Sequence, residues 1–289
     1  MSRPSGGDDA GQAPARVVAA RAADGASVEV HCNGAHITSW RPAPGTDERL
    51  FVSAKSSFAD GASIRGGIPV IFPQFSLEGP LPRHGFARNS RWTHDDTRHV
   101  DGDAILSFSL TDSPATRAIW PASFRASLTA RISGQQLATT LTIENTGREA
   151  FHFACALHTY LRVDDVQQTD IVGLTGSRYR VSSAPRILVT DTEDVLCIRD
   201  EVDRVYVDAP HRLTVREPHR QLVVATTNFP DVVVWNPGVG KAAALVDMEP
   251  GGERRMLCVE AAAVQSPVML NALHRWSGTQ TLTAQPRGD

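Results

Sequence analysis

Hydrophobic and polar residues alternate along most of this chain, beginning near residue 26. The alternation is clearest in four segments, Ala26–Cys32, Ala104–Leu110, Phe124–Ile132 and Leu137–Ile143. Successive side chains of a β-strand point to opposite faces of a sheet, so a period of two indicates strands with one buried face. Four later segments are further strand candidates: Arg212–Val215, Leu222–Thr226, Val232–Trp235 and Arg255–Glu260.

Clusters of turn-forming residues separate these segments, as in Asp101-Gly102-Asp103, Ser133-Gly134 and Asn145-Thr146-Gly147. Many short strands with turns between them and few helical patterns predict an all-β fold, a large antiparallel β-sandwich or barrel. Residues 1–15 are rich in Gly, Pro, Asp, Ala and Ser, which predicts a disordered tail. Residues 16–289 are then predicted to form a single β domain.

The charge balance narrows the possible partners. The 289 residues include 29 basic and 32 acidic side chains, a net charge of −3. Lys55 and Lys241 are the only lysines, so the other 27 basic residues are arginines. We expect no nucleic-acid partner and no membrane contact, because both need a cationic face or a long apolar run. A monomer is expected.

The cysteines and short motifs predict a protein without metal or cofactor. Cys32, Cys155, Cys197 and Cys258 lie far apart, without metal-type spacing, and are expected to be buried small hydrophobic residues. The segment Gly238–Lys241 lacks the rest of a phosphate-loop motif and is interpreted as a surface turn. Because no apolar signal segment begins the chain, we expect a cytoplasmic protein.

A loop that is dense in glycine and proline, yet apolar, carries a group of polar side chains. It reads RGGIPVIFPQF from Arg65 and continues as PLPRHGFAR up to Arg88. This composition predicts a rigid loop, and functional groups commonly lie on loops that a scaffold holds in place. The loop presents Arg65, Arg83, His84 and Arg88.

Two strand-like segments also carry polar residues among apolar ones. In ALHTYLRV, which begins at Ala156, a period of two places His158, Tyr160 and Arg162 on one face. In MLCVEAA, which begins at Met256, Glu260 ends an otherwise apolar strand. A carboxylate is expensive to bury without partners, so Glu260 is a candidate functional residue.

These motifs, together with the acidic segment Glu201–Tyr206, resemble the hexose-6-phosphate mutarotase branch of the aldose 1-epimerase superfamily. The resemblance extends, in order, from about residue 25 to residue 285. It implies a galactose mutarotase-like β-sandwich and a glucose-6-phosphate 1-epimerase that needs no cofactor. It also implies that His158 is the general acid and Glu260 the general base. The implied substrate-binding residues are Arg65, Arg83, His84, Arg88 and Asp203.

The chemistry of anomer interconversion suits these residue types. Ring opening needs the O1 proton removed and the ring oxygen O5 protonated, so one base and one acid are enough. Glu and His have reference pKa values of about 4.3 and 6.5, and positioned proton transfer contributes typically ~10²–10⁴-fold. A phosphate on C6 carries about two negative charges near pH 7, which arginine binds bidentately.

Several interpretations stay open at this point. His84 could be catalytic, or it could only hold the loop. The substrate could be an unphosphorylated aldose, or the chain could be a non-catalytic sugar-phosphate-binding protein on the same fold. A glycoside hydrolase has less support, because no second carboxylate is placed by a motif opposite Glu260.

Overall fold

The computed structural model of the chain describes residues 17–45, 47–181 and 187–286. The predicted disordered tail, residues 1–15, lies outside the described residues. Within these ranges the chain forms mainly β-strands, with two short α-helices and three 3-10 turns. Neither helix there has the length and apolar character needed to cross a membrane.

The first half of the chain forms ten strands and the first helix. The strands are β1 Val17–Arg21, β2 Ser27–His31, β3 His36–Arg41, β4 Val70–Ile71, β5 Thr93–Val100, β6 Asp103–Thr111, β7 Phe124–Ser133, β8 Gln136–Asn145, β9 Phe151–Leu157 and β10 Tyr160–Arg162. The helix α1, Pro114–Ile119, begins with a capping box between Ser113 and Thr116. Two 3-10 turns cover Ala87–Asn89 and Val166–Gln168.

The second half forms ten more strands and the second helix. The strands are β11 Asp170–Val172, β12 Arg178–Val181, β13 Val189–Thr190, β14 Val195–Cys197, β15 Val202–Val207, β16 Arg212–Arg216, β17 Arg220–Thr227, β18 Asp231–Asn236, β19 Met256–Leu270 and β20 Arg275–Pro286. The helix α2 spans Gly238–Ala243, and a third 3-10 turn spans Gly252–Arg255.

These strands form two large sheets and a small one. The larger sheet has the order β14-β11-β16-β17-β20-β8-β7-β6-β5. The second has the order β13-β12-β15-β18-β19-β9-β4, with β10 also paired to β19, and β1–β3 form the third. Every pairing between these strands is antiparallel. The predicted large antiparallel β-sandwich is confirmed.

One cluster of buried apolar side chains joins the three sheets. It includes Trp40 from β3, Phe108 from β6, Leu157 from β9 and Val259 from β19. Burial of this surface stabilises the sandwich by about 25 cal/mol for each Å² removed from water. The nine-stranded sheet shows the alternation that the sequence predicted, because β7 and β8 bury every second residue.

The eight-stranded sheet is buried on both faces in its centre. On β18 and β19, Val232, Val234 and Val259 point into the main core. The residues between them, including Val233 and Cys258, belong to two smaller clusters on the opposite face. A strand buried on both faces loses the simple alternation of polar and apolar residues.

Each of the eight predicted strand segments falls on an observed strand, but three predictions about single residues were wrong. Glu260 does not end its strand, because β19 continues through the buried residues Ala261–Val264 to Leu270, with a register shift between Ala263 and Val268. His158 lies between β9 and β10 rather than within a strand. Cys197 is exposed, whereas the other three cysteines are buried as predicted.

Candidate active site

A pocket of about 330 Å³ lies on the face of the eight-stranded sheet that points away from the main core. Glu260, on β19, lies opposite Val233 of the neighbouring strand β18. Because β9 ends at Leu157 and β10 begins at Tyr160, the two residues between them pass beside Glu260. The Val259 N–H donates to the Thr159 carbonyl at 3.1 Å, which holds this break in place.

The segment that carries Arg65 enters the pocket through a pair of glycines. Gly66 and Gly67 have φ angles of 125° and 61°, and a Cβ on either would lie 2.2 Å from a backbone carbonyl oxygen of another segment. Only glycine fits such positions. The buried His36 donates from Nε2 to the Gly66 carbonyl at 2.7 Å. Burial lowers the pKa of His36 to about 4, so the ring is a neutral donor.

The loop before Arg88 is tied to itself and to the sheet. Gln74 accepts from the Leu81 N–H at 2.9 Å and donates to the Leu81 carbonyl at 3.0 Å. From β12, the buried Arg180 contacts Glu78 at 2.8 Å and donates to Gln265 at 2.9 Å. These contacts hold the loop against the mouth of the pocket.

His84 lies in this loop with a left-handed backbone, φ 66°. The Ser76 N–H donates to Nδ1 of His84 at 3.2 Å, and the His84 N–H donates to the Ser76 carbonyl at 2.9 Å. Because Nδ1 accepts a hydrogen bond, the neutral ring carries its proton on Nε2. Burial, together with Arg88, Arg83 and Arg65, lowers the pKa of His84 to about 3, so the ring is neutral near pH 7.

His158 and Glu260 form a contact pair at the centre of the pocket. Nδ1 of His158 lies 3.3 Å from Oε1 of Glu260, whose side chain is only 1% exposed. Neither Nδ1 of His158 nor Oε2 of Glu260 has a hydrogen-bond partner among the described residues. Buried polar atoms are nearly always paired, so two unpaired atoms within one contact pair make it a candidate functional site.

The environment of the pair favours the neutral form of each group. Burial, and then the charge of Asp203, raises the pKa of Glu260 well above its usual value. Burial, and then His84, Arg88 and Arg65, lowers the pKa of His158 well below its usual value. Perturbed pKa values of opposite direction in one pocket are typical of an acid–base pair.

Three arginines line one side of the pocket. Arg65 donates from Nη1 to the Tyr160 hydroxyl at 3.0 Å, and its Nη2 lies 3.1 Å from Oδ2 of Asp247. Arg88 donates to the Arg83 carbonyl at 3.2 Å. Nε of Arg65 and Nε of Arg88 are buried without a partner among the described residues. Both guanidinium groups line the pocket and therefore keep hydrogen-bonding capacity that the described residues do not use.

On another side of the pocket, Asp203 of β15 lies 4.0 Å from Nζ of Lys241. Lys241 also contacts Glu201 at 2.8 Å. The segment Gly238–Lys241, interpreted from the sequence as a surface turn, forms the helix α2 instead. The prediction of a turn was wrong, but the surface position is confirmed, because Val239, Gly240 and Lys241 are exposed. The segment follows β18 directly, and Lys241 lines the pocket.

All seven site residues named from the sequence line this one pocket: Arg65, Arg83, His84, Arg88, His158, Asp203 and Glu260. Sequence reasoning missed Lys241 and Asp247, which line it as well. Rarity was the available signal for Lys241, since the chain has only two lysines. Asp247 had no comparable signal, because it lies in a loop without a motif.

One group of side chains in the pocket has the donor types of a metal site. The possible ligand atoms of His158, Cys258 and Glu260 lie within 4.8 Å of one another. Nitrogen, sulfur and carboxylate oxygen together would suit zinc. The neighbouring arginines Arg65 and Arg88 oppose a bound cation through charge repulsion, so the same environment suits an anion better.

The β-sandwich fold is shared with a solved structure described as a "putative mutarotase". The aldose 1-epimerase family matches residues 16–283, and the chain belongs to this family.

Two curated relatives are both named "Putative glucose-6-phosphate 1-epimerase". The relative from Cenchrus ciliaris is 34% identical over 279 residues, which cover 93% of this chain and 84% of the relative. The relative from Escherichia coli K12 is 35% identical over 236 residues, or 79% of this chain and 77% of the relative. Among solved structures, a "putative mutarotase (YeaD)" from Salmonella typhimurium superposes with a TM-score of 0.83 at 28% identity. The match covers 91% of this chain and 88% of that one.

Proposed function

We propose that this protein interconverts the α and β anomers of a hexose 6-phosphate, as a glucose-6-phosphate 1-epimerase. Its family makes it an isomerase with a small sugar as substrate. The observation that carries the proposal is the buried His158–Glu260 pair, 3.3 Å apart, beside three arginines in one pocket. The names of the two curated relatives support the same substrate.

In the proposed reaction, Glu260 removes the proton from O1 of the sugar while His158 donates a proton to the ring oxygen O5. The C1–O5 bond breaks, and C1 becomes an aldehyde carbon doubly bonded to O1. Rotation about C1–C2 by about half a turn exposes the opposite face of the aldehyde. O5 then attacks C1, returning its proton to His158, and Glu260 gives a proton back to O1. The unpaired Oε2 of Glu260 is free to accept the O1 proton.

Burial makes each member of the pair more reactive once it is charged. A carboxylate whose pKa is raised is a stronger base, and an imidazolium whose pKa is lowered is a stronger acid. The reactive form, with Glu260 ionised and His158 protonated, places opposite charges next to each other. A phosphate dianion at Arg65 and Arg88 would offset the positive charge that opposes protonation of His158.

The remaining polar residues would bind the sugar phosphate. Arg65 and Arg88 have unpaired Nε donors, and the exposed Arg83 lies at the rim. Asp203 would accept a hydrogen bond from a sugar hydroxyl. His84 would act as a neutral hydrogen-bond donor rather than as a proton-transfer acid, because Ser76 occupies its Nδ1 and its pKa is about 3. Under this proposal His84 binds the substrate and does not transfer a proton.

Exchange NMR on glucose 6-phosphate tests the proposed activity. We expect α/β interconversion to be faster with the protein than in buffer alone, and the acceleration to disappear when Glu260 is replaced by Gln. An exchange rate equal to that in buffer would refute the proposal. Binding of glucose 6-phosphate without acceleration would indicate instead a sugar-phosphate-binding protein on a mutarotase fold.

The preference for a phosphorylated sugar needs its own comparison. Rates on glucose and on glucose 6-phosphate, at equal concentrations below saturation, should differ in favour of the phosphate. Equal rates would indicate an epimerase for unphosphorylated aldoses. The single unit over residues 16–289, the monomeric state and the cytoplasmic location stay predictions.

A further inference from the structure

Tyr160 touches both functional parts of the pocket although no role has been assigned to it. Its hydroxyl accepts from Nη1 of Arg65 at 3.0 Å. Its ring stacks on the imidazole of His158, with centroids 4.8 Å apart and an interplanar angle of 8°. The rings of Trp235 and Tyr160 meet edge to face, with centroids 6.0 Å apart and an interplanar angle of 81°. One side chain therefore joins the arginine side of the pocket to the acid–base pair.

The backbone fixes Tyr160 before the side chain makes these contacts. The Tyr160 N–H donates to the Gly67 carbonyl at 2.8 Å, and its carbonyl accepts from the Phe51 N–H at 3.0 Å. On β10, Tyr160 pairs with Cys258 of β19. Tyr160 is only 3% exposed. The ring is thus held between the sheet and the glycine segment that carries Arg65.

The contact with Tyr160 helps to fix the guanidinium of Arg65, which lines the pocket. Nη1 is held by Tyr160 and Nη2 by Asp247, whereas Nε has no partner among the described residues. Guanidinium is planar, so two fixed nitrogens determine the direction of the third. Without the Tyr160 hydroxyl, Arg65 would be held by the Asp247 contact and could turn about it.

The contact with His158 replaces hydrogen bonds that this imidazole lacks. Catalytic histidines are commonly oriented by a hydrogen bond to one ring nitrogen, but Nδ1 of His158 is unpaired among the described residues. Aromatic packing holds the ring instead. Tyr160 stacks on its face, and the rings of His84 and Trp235 form T-shaped contacts with it at centroid distances of 5.7 Å and 6.1 Å. Tyr160 is the only parallel contact among these three.

We propose that Tyr160 is a positioning residue with two separable roles, in which its hydroxyl orients Arg65 toward the phosphate and its ring orients His158 for proton transfer. The proposal rests on the proposed function for the identity of the substrate. The two roles are separable because Tyr160→Phe removes the hydroxyl and keeps the ring, whereas Tyr160→Leu removes both.

Kinetics on two substrates distinguish the roles. For Tyr160→Phe, we expect KM for glucose 6-phosphate to rise about tenfold, the size of one hydrogen bond to a charged group, with kcat and all constants for glucose little changed. For Tyr160→Leu, we expect the same rise in KM for glucose 6-phosphate and also a fall in kcat of at least tenfold on both substrates. A fall in kcat for Tyr160→Phe equal to that for Tyr160→Leu, or an unchanged KM for glucose 6-phosphate in Tyr160→Phe, would overturn the proposal.

Tyr206 provides the matched control. It is also buried, and its hydroxyl contacts Asp191 at 2.6 Å and Arg204 at 3.2 Å, away from the pocket. Tyr206→Phe removes a comparable buried hydroxyl–arginine contact. We expect it to lower stability without changing KM or kcat. A change in KM as large as that of Tyr160→Phe would show that loss of stability, rather than the position of Arg65, explains the kinetic effect.

Two measurements without catalysis separate this proposal from the proposed function. Binding of inorganic phosphate, followed by calorimetry, should weaken about tenfold in Tyr160→Phe and stay unchanged in Tyr206→Phe. The titration of His158, followed by NMR, should be unchanged in Tyr160→Phe and should move toward the ordinary pKa of about 6.5 in Tyr160→Leu, as the ring becomes more hydrated. If the wild-type protein proved inactive, the epimerase proposal would fail while these two results still decided the role of Tyr160. Unchanged phosphate binding in Tyr160→Phe would refute the role of the hydroxyl, and an unchanged His158 titration in Tyr160→Leu would refute the role of the ring.

Discussion

Two buried carboxylates on neighbouring strands of the same sheet have opposite surroundings. Asp231 begins β18 and Glu260 lies in β19, and each is 1% exposed. Asp231 accepts backbone N–H groups from Val264 at 2.9 Å and Gln265 at 2.8 Å. Glu260 has one oxygen without a partner and the other 3.3 Å from the imidazole of His158.

The difference shows how one sheet uses the same functional group for stability and for chemistry. Asp231 satisfies backbone donors at the irregular part of β19, where the register between β19 and β9 shifts. Oε2 of Glu260 has no such donor among the described residues. Burial raises the pKa of both carboxyls, but backbone N–H groups oppose the rise at Asp231, whereas the charge of Asp203 adds to it at Glu260. Burying a carboxyl with an unpaired oxygen costs free energy of folding, and such costs are typical of residues retained for function.

Replacing Glu260 by Gln should have the largest effect. We expect the enzyme-dependent anomerisation rate to fall about 10³-fold, within the range for loss of a positioned base. We expect the free energy of unfolding to be unchanged or slightly higher, because an unpaired buried carboxyl is replaced by a neutral amide. Exchange NMR and denaturant unfolding measure the two quantities. A large loss of stability with retained activity would reverse the assignment of the two carboxylates.

Replacing Asp231 by Ala should give the opposite result. The change leaves the Val264 and Gln265 N–H groups without their acceptor, so we expect unfolding to become easier by about 3 kcal/mol. The activity per folded molecule should be retained, since Asp231 does not line the pocket. Denaturant unfolding and an activity assay on the folded fraction provide the check. Loss of activity in a fully folded variant would contradict the structural role.

The contrast extends to arginines and predicts a smaller effect. Arg88 keeps an unpaired Nε in the pocket, whereas the nearby Arg91 is exposed and pairs with Asp60 at 3.3 Å. Arg88→Ala should raise KM for glucose 6-phosphate about 10–30-fold and leave KM for glucose little changed, because it removes a charged donor to phosphate.

The matched control for that comparison is Arg91→Ala, which removes an exposed ion pair of little energetic importance. We expect KM to be unchanged on both substrates. Equal effects of the two arginine variants would indicate a general electrostatic contribution rather than a phosphate contact at Arg88.

The smallest expected effect is a shift in the pH dependence. The negative charge of Asp203 helps to raise the pKa of Glu260, so Asp203→Asn should lower that pKa. Because the base must lose its proton to act, the ascending limb of the kcat/KM profile should move to lower pH by less than one unit. The phosphate of the substrate titrates near pH 6 but contributes equally to both profiles. A shift to higher pH would exclude this coupling.

Part of this architecture was predictable from local sequence patterns. The segments Phe124–Ile132 and Leu137–Ile143 alternate because they lie in a sheet with one face in the core, and the structure places β7 and β8 there. Glu260 could be identified from the sequence as a carboxylate in an apolar segment. The end of its strand at Leu270 could not be predicted in the same way. Ala261–Val264 continues the strand against β9, and a strand buried on both faces gives no periodic signal.

Some side chains of the pocket belong to no sequence motif. Lys241 and Asp247 line the pocket from the segment after β18. Their spacing in sequence from the other site residues matches no motif. The partnership of Tyr160 with Arg65 joins residues 95 positions apart. Such contacts depend on how strands that are distant in sequence pair in the sheet.

The sequence by itself determined that the chain is a β-sandwich of the aldose 1-epimerase family, and it identified seven candidate site residues. These properties are local, because alternation and short motifs reflect the environment of each residue along its own strand or loop. Only the tertiary structure decided that Glu260 has a free oxygen while Asp231 has none, and that Tyr160 stands between Arg65 and His158. Those properties depend on distances between strands, and pairing across the sheet sets those distances.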